Sequence, residues 1–176
     1  MSRSDKKHLN WESLSWLEVL MMLALVAVFA AVLYPVFAPG DFKGPDPSTR
    51  CKSIVKQLAL ASIIYISDYD DRFPLRDSWM DGIFPYHKNK SIERCPTFAW
   101  DEKAPKNQYG YAMNQAMSGA KPPPNPEAVP LVFESVNLAR NASGTLDSLP
   151  NPGRHNGRNV IGYADGHVKA RDPSQP

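Results

Sequence analysis

The longest apolar run lies near the amino terminus. From Val19 to Phe37 nineteen residues pass without a charge, and at about 1.5 Å per helical residue they nearly cross the roughly 30 Å core of a bilayer. With Trp16 and Tyr34 as interfacial aromatics, residues 16–37 are expected to form a transmembrane helix. A cleaved signal peptide, with Val28 and Ala30 as small residues before a cut, and a buried core helix are the two rival readings. The run is longer than a usual signal core of about 7–15 residues, which favours the anchor. Arg3, Lys6 and Lys7 precede it, and Lys43, Arg50 and Lys52 follow, so counting basic residues leaves orientation balanced. The short tail 1–15 stays inside easily, whereas a long carboxy-terminal domain crosses largely regardless of its charge. The bulk of the chain is therefore expected outside the cytoplasm, with Glu18 at the membrane edge.

Residues 38–48 contain Pro39, Gly40, Gly44, Pro45 and Pro47 and read as a linker, with Ser48 placed to cap a new helix. From Thr49 to about Ser67, Cys51, Ile54, Val55, Leu58, Ala61 and Tyr65 recur at spacings of three and four. This is the signature of an amphipathic helix with one face on a sheet. Asp68, Asp70 and Asp71 follow in SDYDDRFP, but Arg72 and Phe73 stand where a calcium loop needs ligands and glycine, so a solvated helix end before Pro74 is expected. A short helix or turn is expected around 78–87. Strands are expected in 108–114 and in 128–136, the second at an edge or starting late because of Pro130. Residues 137–153 read as loop.

The segment RHNGRNVIGYADGHVKAR, 154–171, reads as a hairpin whose tight turn is Asp165-Gly166. A two-residue turn pairs Ala164 with His167, Tyr163 with Val168, Gly162 with Lys169 and Ile161 with Ala170. That puts Ile161, Tyr163, Val168 and Ala170 on the core face, and Gly162, Ala164, His167 and Lys169 on the wet face. Asn156-Gly157 is a second turn signal, which can fold His155 back toward Asp165 and let the two turns lock by a hydrogen bond.

Charge and chemistry add few sites. Twenty basic and eighteen acidic residues give a net charge of +2, so no electrostatic footprint for nucleic acid stands out. Seventeen prolines and ten glycines, mostly after residue 35, favour a loop-rich body over a helical bundle. The two cysteines, Cys51 and Cys95, lack the spacing of a zinc site. They are expected either as a disulfide closing a loop of about 45 residues, worth at most about 4 kcal/mol, or as two buried thiols. A catalytic cysteine is less favoured, because no neighbour in sequence supplies a base. A His/Asp pair at 155 and 165 suggests general-base chemistry, but no nucleophile or oxyanion donor accompanies it. No catalytic residue, metal site, cofactor or small-molecule substrate is expected, and no enzyme activity.

His155, nine residues, then Asp165-Gly166 resembles the H-x9-DG signature of a bacterial family of type IV pilin-like, or pseudopilin-like, proteins. AAVLYPVFA (30–38), CKSIVKQLALASIIYISDYDDRFP (51–74) and PYHKNKSIERCP (85–96) are similar to further segments of that family, in the same order. The resemblance implies a prepilin-type leader cut before an apolar helix whose fifth mature residue is glutamate. Glu18 takes that place, with an implied role in neutralising a neighbouring subunit's amino terminus during assembly. Ser13-Leu14 takes the processing site, with Ser13 where the family has glycine. The implied fold is α+β and pilin-like: a transmembrane helix, then an amphipathic helix on a small antiparallel sheet within residues 49–176. The implied partners are the lipid bilayer and other pilin-like subunits. The implied location is the bacterial inner membrane, single-pass, with a periplasmic or extracellular head. A tethered extracytoplasmic binding module without filament assembly is the alternative.

Overall fold

The structure is a computed structural model and describes residues 15–37, 46–99 and 101–173. The expected processing site Ser13-Leu14, the tail before Ser15 and linker residues 38–45 lie outside the described residues. The chain divides into two compact units, Met1–Gly44 and Pro45–Pro176.

In the first unit, α1 (Trp16–Phe37) is a single helix. Residues Trp16–Tyr34 are long and apolar enough to cross a membrane, and their side chains are exposed all round. Its start is fixed by a reciprocal cap: the Glu18 N–H donates to Ser15 Oγ at 3.4 Å, and Glu18 Oε2 accepts from the Ser15 N–H at 2.9 Å. This capping box satisfies backbone donors that a helix start otherwise leaves open.

The second unit is α+β. Helix α2 (Pro47–Asp68) begins two residues before the expected start, with Asp46 ahead of it. Pro47 at the first helical position needs no N–H partner and already has the helical φ, so Ser48 lies inside the helix and is not its cap. Its buried face is Cys51, Ile54, Val55, Leu58, Ala59, Ala61 and Ser62, the three-and-four spacing expected of one stripe. The Ser62 hydroxyl donates to the Leu58 carbonyl at 2.9 Å, which lets a polar side chain sit in the core. Beyond the helix the chain turns through Asp70 and Asp71 at φ of 52° and 56°. Short helices α3 (Trp79–His87) and α4 (Pro96–Ala99) follow.

Five strands, β1 (Tyr111–Asn114), β2 (Pro130–Glu134), β3 (Ser143–Gly144), β4 (Asn159–Tyr163) and β5 (Val168–Arg171), form one sheet in the order β3-β1-β2-β4-β5. The expectation of a purely antiparallel sheet is corrected: β3, drawn from the Asn/Ser/Gly-rich stretch read as loop, runs parallel to β1. The second strand starts late, at 130 instead of 128, as one of the two expectations for Pro130 had it, but Pro130 does not mark an edge. It opens the central strand, and a register shift between Pro130 and Val132 absorbs it, as proline in a sheet requires. One sheet face packs on α2, with Tyr111, Met113, Val132, Val160 and Ala164 in the larger core; the other carries Ala112, Phe133, Ala142, Ile161 and Tyr163.

The β4–β5 register differs by one residue from the expected one. Gly162 pairs with Val168, Ile161 with Lys169 and Val160 with Ala170. Gly166 is the only residue of the Asp165-Gly166 turn at positive φ, 86°, whereas a two-residue type I′ turn needs it at both. The loop is therefore three residues, 164–166, closed by the Gly166 N–H on the Tyr163 carbonyl at 2.9 Å. A shift of one in a period-two pattern changes which residues share a face. Gly162 and Ala164, expected on the wet face, lie under α2. A side chain at 162 would bring its Cβ to 2.9 Å from Val55 Cγ1, so glycine here lets the helix approach the sheet.

Candidate functional site

The hairpin chemistry does not gather where the sequence suggested. His167 partners Asp165: its Nδ1 is 2.6 Å from Asp165 Oδ1 and its backbone N–H donates to the same oxygen at 3.0 Å. The ring stacks on Tyr163 at 4.3 Å. His155, expected to face this turn, points into the core instead.

His155 is placed by the second turn. Asn156 and Gly157 lie at φ of 54° and 81°, the pair of positive values that a type I′ turn needs. The His155 N–H donates to the Arg158 carbonyl at 3.0 Å, and the Arg158 N–H donates back at 3.1 Å. Asn159, fully buried, holds the base of the turn: Nδ2 donates to the Pro150 carbonyl at 2.7 Å and Oδ1 accepts from the Arg154 N–H at 3.3 Å. Arg154 and His155 are thereby fixed at the end of the sheet.

Three other elements send a side chain to the same point. Cys51 comes from the first turns of α2. Cys95 precedes α4 and is anchored by its N–H on the Tyr109 carbonyl at 2.8 Å. Glu134 ends β2 opposite Tyr111, on the face turned to α2. Cys51, Cys95 and Glu134 are 0 % exposed and His155 6 %, and one ligand atom from each of the four lies within 4.8 Å of the others. Glu134 Oε1 accepts from both sulfurs at 3.6 Å and lies 3.0 Å from His155 Nε2. Its other oxygen accepts from the Val160 N–H at 2.8 Å. Arg154 Nη1 is 4.0 Å from Oε1 and donates to the Gly110 carbonyl at 2.8 Å, while Nη2 donates to the Ser135 carbonyl. The guanidinium also lies over the Phe98 ring at 4.9 Å. Tyr111 Oη is 3.5 Å from Cys51 Sγ.

Cys51 and Cys95 are free, buried thiols, and the disulfide considered from sequence is not formed. Nor is Cys95 without a base, since His155 lies beside it; 60 residues of sequence hid this neighbour. Hydrogen bonding to Cys95, burial and the Glu134 charge push the Cys51 thiol up. The same bond from Cys51 pulls the Cys95 thiol down against burial, helped by His155 and Thr97. Burial works against a charge on His155, but its contacts with Cys95 and Glu134 outweigh it and push it up to about 9. A thiol, an imidazole and a carboxylate have the composition of a cysteine nucleophile site. Here all are buried, and a nucleophile must meet its substrate, so the arrangement suits holding structure or a ligand. The sequence marks Cys51 and Cys95 as a pair and His155 apart from them, and does not mark Glu134. The available signal was a carboxylate two residues after Val132, at a position that strand alternation turns inward.

A second polar cluster ties α3 to the loop before β3. Arg140 Nη2 donates to Asp81 Oδ1 at 2.6 Å and Nη1 to Glu93, while Asn141 Nδ2 donates to Asp81 Oδ2 at 2.8 Å. The hydrogen bonds from Asn141 and Arg140 hold the Asp81 carboxyl below its ordinary value. A folded value below the unfolded one, about 3.9, gives stability that is present above that pH and lost as pH falls through the folded value. An Asp81→Asn chain is therefore expected to lose less stability than the wild type between about pH 4 and pH 2, read as urea midpoints across that range. Equal slopes for the two chains would contradict the assignment.

Comparison of the chain with family models, curated proteins and solved structures found no match.

Proposed function

We propose that the chain is a membrane-anchored, pilin-like or pseudopilin-like structural protein, a minor component of a type II secretion or type IV pilus-like assembly. In this reading α1 holds it in a bacterial inner membrane, with the α+β head periplasmic or extracellular and its partners the bilayer and other pilin-like subunits. The observation that carries it is the order of parts: an apolar helix of 22 residues with a glutamate in its first turn, then an α+β unit with one long helix packed on a sheet. Among the described residues both cysteine thiols lie in the core of the head, which fits a structural role better than an enzymatic one. The thiols and His155, its most reactive side chains, are buried beyond the reach of a substrate.

One observation favours the second reading, a membrane-tethered extracytoplasmic module that does not build filaments. Glu18 is already used inside its own helix, by the N–H and hydroxyl of Ser15. To neutralise a neighbour's amino terminus it must share or release those donors. Mass spectrometry of the amino terminus, on chain taken from a membrane fraction, separates the two. Processing before Leu14, which makes Glu18 the fifth residue, is the expected result for an assembly subunit. A retained Met1 or Ser2 would overturn that reading and leave the tethered module.

A further inference from the structure

We propose that Cys51, Cys95, Glu134 and His155 are the four ligands of one structural zinc ion in the core of the head. The donor set is that of zinc: two sulfurs, an imidazole nitrogen and a carboxylate oxygen, with no fifth group needed to close a tetrahedron. Bonds of about 2.3 Å to sulfur and about 2.0 Å to nitrogen or oxygen separate tetrahedral ligand atoms by about 3.3–3.8 Å. Both sulfur to Glu134 Oε1 distances are 3.6 Å. All four ligand atoms lie within 4.8 Å of one another, so closure on an ion needs movements of about 1 Å.

The polar groups around the cluster leave the right atoms open. The Val160 N–H occupies Glu134 Oε2, which turns Oε1 toward the sulfurs and the imidazole. His155 Nε2 lies 3.0 Å from Oε1 with its side chain 3 % exposed, yet forms no aligned hydrogen bond. Buried polar atoms nearly always have a partner, and an ion at the shared point gives Nε2 one. Tyr111 Oη at 3.5 Å from Cys51 Sγ supplies the outer contact that metal ligands commonly receive. Charge also closes: two thiolates and a carboxylate oppose a divalent cation and Arg154, whose side chain is 10 % exposed. A disulfide is the rival occupant of the two sulfurs. It leaves His155 Nε2 in the core without a partner, and the convergence of both sulfurs on one carboxylate oxygen unexplained.

The test uses the full chain, extracted in detergent from a membrane fraction. Elemental analysis is expected to find one zinc per chain as isolated. After stripping with a chelator under reducing conditions, Co(II) is expected to bind at one equivalent, with tetrahedral ligand-field bands and a sulfur-to-cobalt charge-transfer band, all removed by one equivalent of Zn(II). Tyr111→Phe keeps all four ligands and is expected to weaken zinc about tenfold in competition with a chromogenic chelator. His155→Cys is expected to keep the cobalt spectrum with a stronger charge-transfer band. A reduced wild-type chain that gives no sulfur-to-cobalt band would overturn the proposal. So would an isolated chain free of zinc, lighter by two hydrogens and resistant to alkylation, since that is the disulfide.

Discussion

Glu134→Ala is expected to remove about 3–5 kcal/mol of stability from the head, among the largest effects of any single side chain in it. The carboxylate is 0 % exposed and joins four separate segments. It accepts the Val160 N–H of β4 at 2.8 Å, both thiols at 3.6 Å, and lies 3.0 Å from His155 and 4.0 Å from Arg154. Truncation leaves a buried guanidinium and a buried N–H facing a cavity, and an orphaned buried charge costs more than the pair was worth. Glu134→Gln keeps the volume and an acceptor for Val160, and is expected to cost less. Because Cys51 and Cys95 are both fully buried, their alkylation rate in the metal-free, reduced chain reports opening of the head directly. A Glu134→Ala chain that alkylates no faster than wild type would contradict the role given to this residue.

Trp79→Ala is expected to cost about 3–5 kcal/mol by a different route. Trp79 opens α3, is 0 % exposed, and donates its indole N–H to the Ala142 carbonyl at 2.9 Å. That carbonyl also accepts the Met113 N–H at 2.9 Å, so it keeps a partner in the variant. The loss is then almost wholly cavity: contacts of a large ring that its neighbours recover only in part. Trp79→Phe, which fills most of the space, is expected to fall well below this. Leu75→Ala, at a residue 63 % exposed, is expected within about 0.5 kcal/mol of wild type. Urea midpoints of the three variants, ranked in any other order, would argue against this packing.

The parts of this fold legible in the sequence are those set by local periodicity. Nineteen uncharged residues placed α1, and the three-and-four spacing of Cys51, Ile54, Val55, Leu58 and Ala61 gave the buried stripe of α2 because both patterns repeat within a few turns. The hairpin was legible as an element but not in register. Asp165-Gly166 suits a two-residue turn, yet only Gly166 takes positive φ, and one extra loop residue moves every pairing by one. β3 was invisible because a two-residue strand carries no pattern, and its partner is 30 residues away. The buried cluster was visible only in fragments. Cys51 and Glu134 are 83 residues apart, and nothing local tells that the starts of α2 and α4, the end of β2 and the Asn156-Gly157 turn meet at one point.

His155 belongs to the Glu134 cluster in the core and not to the Asp165 turn. Double-mutant cycles on the metal-free, reduced chain test it most directly, with His155→Gln combined in turn with Glu134→Gln and with Asp165→Asn. A coupling above about 1 kcal/mol with Glu134, and additivity within about 0.5 kcal/mol with Asp165, is the expected result. Coupling to Asp165 with additivity at Glu134 would contradict it.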